Sequence, residues 1–558
     1  MARKPRAATV LCLALAVSAF PAALRAHLEP MSVRDLAAAS PHIVVATVEE
    51  GRSRWNGLHT LILTAYTLRV EERLRGEAPD RITITVPGGT VGKIADDTCI
   101  SVHLETGARY LLFLDDLDRP TLMPVTGANQ GVFREEPGTR SGAFQDLVAT
   151  ARSLAARVPL ETPRPLPPAA AGLPSKAWIP DAPPAPIAGS LPPRAAPEAA
   201  LPPVPEESVA ETVEIAGAVS TSPSIPPRPI PGKFLYEELA PRPVVVNPLT
   251  DATFAPWDQY EMADWNRYSG DLFRVSASPT PTWAYGNGVS DIVGFLDDAP
   301  MKQHFEYSWN DLGKGVLAVT FARYEEGAVV EADVVLNPHK SWTLDDLEAT
   351  GSEPIYAFKE VVLHELGHVW GLLHPWDDEV TWVTWDSVMN YKPRQFYVWE
   401  LFADDTAAVR HAFPPGVPLR DGVIGSYVTV RNPRLIIPNY QTALPSPSTV
   451  RAGGAFGLAG PIKIENVGTV PLADPLVEVY LAPARLSFDG AVLLQRAKVR
   501  GKIPSGGTLQ VKLKGLKVPR GTPPGIYYPA YLLRDPKDAY QDNNAAWGLE
   551  EAAVTVAP

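Results

Sequence analysis

The chain has almost no cysteine, with Cys12 and Cys99 the only two in 558 residues. Cys12 lies in an apolar N-terminal stretch expected to be removed, so one thiol would remain and a disulfide framework is excluded. The domains must then hold without disulfide cross-links. Basic charge is short as well: 50 Lys and Arg face 63 Asp and Glu, giving a net charge of −13 and a pI near 5.4. No Lys/Arg stripe is present, which argues against a nucleic-acid partner, because phosphate backbones are bound by clustered cations. After the N-terminus no run approaches the roughly 18 apolar residues of a spanning helix. There is no fixed-period repeat, and in particular no Gly-Asp calcium nonapeptide.

What is there divides into segments, and at domain sizes of roughly 100–200 residues the length suggests three or four domains. Arg3, Lys4 and Arg6 precede "AATVLCLALAVSAF" and alanine-rich sequence up to Ala26. Residues 1–26 therefore read as a secretory signal peptide, cleaved after Ala19 or near Ala26, and the expected location is extracellular or periplasmic. Residues 27–156 carry "HIVVATV", "LILTAYTLRVEERL", "RITITVPGG" and "RYLLFLDD", whose alternation and Gly/Asp punctuation predict an all-β barrel or sandwich. Residues 157–248 are proline- and alanine-rich and read as an extended linker, interrupted by a strand-like island, "ETVEIAGAV".

Residues 249–415 are mixed α/β. "WDQYEMADWNRY" has helical spacing with Trp257, Tyr260, Met262 and Trp265 on its candidate buried face. "GVLAVTFARY" and "AVVEADVVLN" read as two strands around a turn at Glu325, Glu326 and Gly327. "YAFKEVVLHELGHVWGLL" is the longest helical pattern, with Ser352 as its cap and Pro354 in its first turn. "DDTAAVRHAF" is a closing helix stopped by Pro414 and Pro415. Residues 416–558 return to strands at sandwich-like spacing.

The chemistry concentrates in "HELGHVWGLLH", residues 364–374. Residues four apart on a helix return to nearly the same face, so His364 and His368 can aim both imidazoles at one point. That point suits Zn²⁺, which takes His nitrogens at about 2.0–2.1 Å. His374 would face elsewhere if the helix continued. Gly371 can take a positive φ, end the helix and turn the chain so that His374 approaches from another direction. Glu365 is offset from the ligand face, where a general base can reach a water at the metal without ligating the metal. An amphipathic helix with incidental histidines is the bland alternative, and five positions matching together weigh against it.

These residues resemble the metzincin metalloproteases, whose signature is H-E-x-x-H-x-x-G-x-x-H followed by a methionine turn. "DSVMNY" supplies that turn, and the resemblance implies that Met389 lies beneath the metal as an apolar floor without ligating it. It covers about 165 residues. "VVEADVVLNPHKSW" and "DDTAAVRHAF" look like the matrixin branch, whereas His374-Pro375 and a turn running on to Tyr391 look like the serralysin branch. By resemblance Tyr391 contacts zinc or the transition state, and a structural tyrosine is the other reading. The matrixin cysteine-switch motif is absent, "DDTCIS" does not resemble it, and Cys99 reads first as a plain buried thiol, with masking of the zinc as the other reading. The histidines of a second, structural zinc are also missing. Asp297, Asp298, Glu331 and Asp333 are candidate Ca²⁺ ligands, with solvated acidic residues as the other reading.

The implied whole is a multidomain chain: an α/β (α+β) metzincin-like domain flanked by an N-terminal all-β domain and a C-terminal β-sandwich resembling the fibronectin-like domains of bacterial exoenzymes. The implied activity is zinc-dependent peptide-bond hydrolysis with Glu365 as general base, on protein or peptide substrates laid along "GVLAVTFARY" as a free sheet edge. The sandwich is a candidate for surface or polymer binding. The competing reading is an adhesion protein that keeps the fold as a scaffold, which would have no need of Glu365.

Overall fold

The computed structural model describes residues 31–118, 121–135, 141–161, 212–215, 219–221, 244–248, 255–269, 273–275, 283–312, 315–326, 328–344, 355–372, 374, 387–389, 401–412, 416–430 and 439–558. The expected signal peptide lies outside them. Ser32 opens the first helix, α1 (Val33–Ala39), through a capping box with Asp35. Strands β1 (His42–Trp55), β2 (Ile62–Arg75) and β3 (Arg81–Pro87) follow. β4 (Gly89–Val91) and β5 (Ile94–Thr98) then leave this layer, and β6 (Arg109–Leu114) and β7 (Val132–Arg134) return to it. The five-stranded sheet runs β3-β2-β1-β6-β7.

Both faces of this sheet are covered, which explains the nearly continuous apolar run at its centre. Ile43, Val45, Leu111 and Phe113 pack toward α1 and α2 (Ser141–Arg157), while Val44, Ala46, Leu112 and Leu114 face the opposite core. The expected all-β domain is therefore corrected to α+β. α2 buries Phe144, Val148 and Ala151, spaced as one helical face.

The proline-rich segment is structurally divided. β8 (Thr212–Ile215) pairs parallel with Val492–Val499, and β9 (Val219–Thr221) pairs antiparallel with Gly507–Val511. The strand-like island thus adds an edge to each of two sheets in the C-terminal part. The remaining described strand of the segment, β10 (Val244–Pro248), enters the central sheet.

Around that sheet lie α3 (Ala255–Ser269), β11 (Phe273–Val275), β12 (Ser290–Phe295), α4 (Asp298–Phe305), β13 (Ala318–Glu325) and β14 (Ala328–Leu336). A short parallel pair, β15 (Ser341–Thr343) and β16 (Ile355–Ala357), leads into α5 (Phe358–Val369), and α6 (Ala403–Ala412) closes the region. α5 starts later than its pattern suggested: residues 355–357 are extended and Ala357 is the N-cap, while Ser352 and Pro354 lie outside the described residues.

The central sheet has the order β11-β10-β12-β14-β13-β5-β4. The first four strands are parallel, and β13, β5 and β4 each run antiparallel to the preceding neighbour. Two of its seven strands come from the N-terminal part. The period of two in β13 sends Ala318, Thr320 and Ala322 toward α5, and Val319 and Phe321 into a core shared with Val44, Leu112 and Leu114. Arg323 on that second face pairs with buried Asp96 of β5 at 2.7 and 2.9 Å, its guanidinium lying over the Trp55 and Tyr285 rings. The expected free edge at "GVLAVTFARY" is thus covered by the protein's own β5.

The C-terminal strands pack as two layers around Ile464, Val479, Leu509 and Tyr531. Tyr268 of α3 donates to Asp421 at 2.6 Å, and Asn543 donates to the other Asp421 oxygen at 3.1 Å, joining α3 to this layer. No helix among the described residues is long and apolar enough to cross a membrane.

Candidate metal centre

α5 is buried along its whole length, so the polar groups it carries must be matched by specific partners. Its C-terminus is closed by a Schellman motif: Gly371 N–H donates to His368 O at 2.8 Å and Leu372 N–H to Gly367 O at 3.0 Å. Gly371 has φ 79°, the left-handed region expected of it, and the reversal brings His374 back toward the helix. Its freedom decides the geometry of the third histidine.

The three imidazoles converge. His364 Nε2 lies 3.1 Å from His368 Nε2 and 3.2 Å from His374 Nε2, and the remaining pair is 3.1 Å apart. A tetrahedral ion at about 2.0–2.1 Å from each nitrogen needs separations of roughly 3.3–3.4 Å. The other ring nitrogens settle two of the tautomers. His364 Nδ1 is 2.8 Å from Val388 O and His368 Nδ1 is 2.7 Å from Leu372 O. A carbonyl only accepts, so both Nδ1 atoms carry protons, and both Nε2 lone pairs point at the common centre. Lone pairs held that close repel unless a cation lies between them. The donor set fits a metal ion, and His364, His368 and His374 form one of two groups among the described residues that could hold one.

Beneath them sits the turn at residues 387–389. Asp405 of α6 accepts from Val388 N at 2.8 Å, from Phe402 N at 3.0 Å and from the Ser387 hydroxyl. Burial, with repulsion from Asp404, still pushes its carboxyl up to about 6 despite those donors. Met389 is buried against α5 at Gly367, where any Cβ would collide with its sulfur. Gly367, Asp405 and Thr320 were not singled out by the sequence reading. A glycine in the middle of a helical pattern was the available signal for the first, and nothing local marks the other two. Tyr391 lies outside the described residues.

Glu365 is fully buried beside the triad and points toward β13, where Thr320 Oγ1 donates to its Oε2 at 2.6 Å. The second group that could hold a metal is Cys99, Glu365 and His368, whose ligand atoms lie within 4.8 Å of one another. The Cys99 thiol thus lies close to the triad. Following β5, it exchanges backbone and sulfur contacts with Thr320: Cys99 N donates to Thr320 O, and Thr320 N lies 3.2 Å from Cys99 Sγ. Burial first, then the nearby Glu365, pushes the thiol pKa well above its ordinary value.

The candidate calcium ligands do not assemble into a comparable cluster among the described residues. Glu331 accepts N–H donors from Gly286, Asn287 and Gly288, and Asp333 accepts from Asp291 N and Trp283 Nε1. Asp298 accepts from Trp309 N and faces His339, so these carboxylates act as loop anchors. Comparison with protein families, curated proteins and solved structures returns no match for this chain.

Proposed function

We propose that this chain is a secreted zinc endopeptidase of metzincin type, acting on proteins or peptides. The observation that carries the reading is the convergence of three Nε2 atoms within 3.1–3.2 Å, two of them with lone pairs fixed inward by Nδ1–H donation to carbonyls. Zinc fits three imidazoles with an open fourth position, and when bound it supplies Lewis acidity toward a carbonyl and lowers the pKa of water. Glu365 lies beside that position without belonging to the triad, and Thr320 fixes its Oε2. Its carboxylate is assigned the role of taking a proton from the attacking water and returning it to the leaving amine. Tyr391, two residues beyond Met389, is assigned a hydrogen bond to the transition state. Met389 and Gly367 keep the floor of the site dry and close to α5. The signal-like N-terminus supports secretion, and the C-terminal layers are assigned surface or polymer binding.

Elemental analysis of the purified chain tests the first step. About one zinc per chain is expected, lost in His368→Ala and retained in His411→Ala. A chain purified without chelator that holds no zinc contradicts the proposal.

A further inference from the structure

A buried pair of opposite charges in the C-terminal layers meets the start of α6. The strand Ile462–Asn466 lies between Gly422–Gly425 and Gly507–Val511, antiparallel to both. Its period of two sends Ile462 and Ile464 into the core between the layers. Lys463 and Glu465 take the opposite face, yet each is only 1% exposed, because Phe402 and the first residue of α6 lie over them. Lys463 Nζ is 3.1 Å from Glu465 Oε1 and 4.3 Å from the centre of the Phe402 ring. The other Glu465 oxygen, Oε2, accepts from Ala403 N at 2.9 Å. Desolvation cancels most of the attraction in a buried ion pair, so stability is a weak reason for one here.

We propose that Glu465 is a positioning residue of the metal centre, holding the first turn of α6 so that Asp405 sets the 387–389 turn against His364. The inference rests on the metal-centre reading of the triad. Two residues beyond Ala403, Asp405 Oδ2 accepts from Val388 N at 2.8 Å and from Phe402 N at 3.0 Å. The second of those bonds locks the carboxylate to the start of its own helix, so it moves when that turn moves. The carbonyl of Val388 in turn accepts from His364 Nδ1 at 2.8 Å. One peptide segment is thus held by α6 through its N–H and orients a metal-site histidine through its C=O. Groups that orient a ligand in this way are worth roughly 10–100-fold in metal affinity.

Joining the layers to the rest of the chain is the competing role, and other contacts already serve it. Arg410, about two turns further along α6, donates to Val467 O and, at 3.3 Å, to Ser505 Oγ. Tyr268 of α3 donates to Asp421. Of these attachments, the one at Glu465 meets the turn that carries Asp405. The C-terminal layers then belong to the frame of the site, in addition to any binding at their outer surface.

The test measures cobalt binding to the metal-free full chain by chelator competition, with the ligand-field bands of the bound ion as a second readout. Lys463→Met with Glu465→Gln removes both charges but keeps an acceptor for Ala403 N. That double variant should bind cobalt within about twofold of wild type and show the same bands. Lys463→Met with Glu465→Leu removes the acceptor as well, and affinity should fall about tenfold with shifted bands. A residue that only joined the layers would change the denaturant midpoint and leave cobalt binding alone, so equal affinities and bands in the two double variants overturn the proposal. Should the leucine variant not fold, Glu465→Asp replaces it, keeping the charge beside Lys463 while withdrawing the acceptor by one methylene. A loss of at least about threefold is then expected, and unchanged affinity overturns the proposal. Peptide hydrolysis by none of the zinc-loaded chains, with the cobalt contrast intact, defeats the peptidase reading alone. Hydrolysis by all of them without that contrast defeats the positioning role alone. A wild-type chain that takes up no cobalt defeats both.

Discussion

Gly367 shows how a single hydrogen-for-methyl change separates competing effects. In an exposed helix, glycine to alanine gains about 1 kcal/mol. Here the added Cβ would meet the Met389 sulfur and crowd the Trp265 ring, and overpacking of that kind costs about 1–3 kcal/mol. The collision should win. Gly367→Ala is expected to lower stability by about 1–2 kcal/mol in denaturant unfolding, and the loss should shrink by at least about 1 kcal/mol in a Met389→Ala background. An unchanged loss in that background would mean that Met389 is not what fills the space. At this scale the candidate site was largely legible beforehand: the three histidines, Glu365 and Gly371 follow from residue type and spacing, and Met389 from the metzincin resemblance. Gly367, Thr320 and Cys99 did not, because their roles depend on what the fold brings alongside them.

At the scale of elements, the C-terminal turn of α5 places the third histidine. Gly371 sits at φ 79°, a conformation that costs an L-residue roughly 1–2 kcal/mol. Gly371→Ala should either strain this turn or shift His374, and zinc affinity measured by chelator competition should fall about tenfold. Gly371→Asn, which tolerates the left-handed region better, should fall less. Equal affinities for glycine and alanine would show that the turn does not position His374. Strand and helix identities in this region were readable because hydrophobic period is a local property. The covering of β13 by β5 and the pairing of β8 and β9 with the C-terminal strands were not. Such pairings join segments far apart in sequence, and the signal for them is register and shared burial. α2 was legible in principle, since Phe144, Val148 and Ala151 carry a helical period, but the surrounding strand patterns dominated the segment.

For the whole molecule, the join between α3 and the C-terminal layers is sensitive to pH. Asp421 and Asp538 are close buried carboxylates. Burial, and then Asp538, pushes Asp421 well above its usual range, and burial pushes Asp538 up to about 6. Unfolded aspartates titrate near 3.9, so between about pH 4 and 6 the folded chain holds more protons than the unfolded one. Stability from this pair is fully present below about pH 4 and is lost as pH rises through about 6. A shift of roughly two units corresponds to about 2–3 kcal/mol. Metal-free protein should therefore unfold more easily at pH 7 than at pH 5, and Asp538→Asn should flatten that slope. A slope unaffected by the substitution would place the proton uptake elsewhere, Asp405 being the next carboxyl raised to about 6.

The account as a whole stands on one assignment, that the triad and Glu365 form a hydrolytic centre. The most direct test is hydrolysis of a denatured protein substrate by zinc-loaded chains after limited proteolysis has opened the N-terminal part, comparing wild type with Glu365→Gln at equal zinc content. Glutamine keeps the shape of Glu365 but not its basicity, so the variant should hold the metal and lose roughly 10²–10⁴-fold in turnover. Tyr391→Phe should lose less, and a chelator should abolish the wild-type rate. Unchanged hydrolysis in Glu365→Gln, or a zinc-loaded wild-type chain that cleaves nothing once opened, would contradict it.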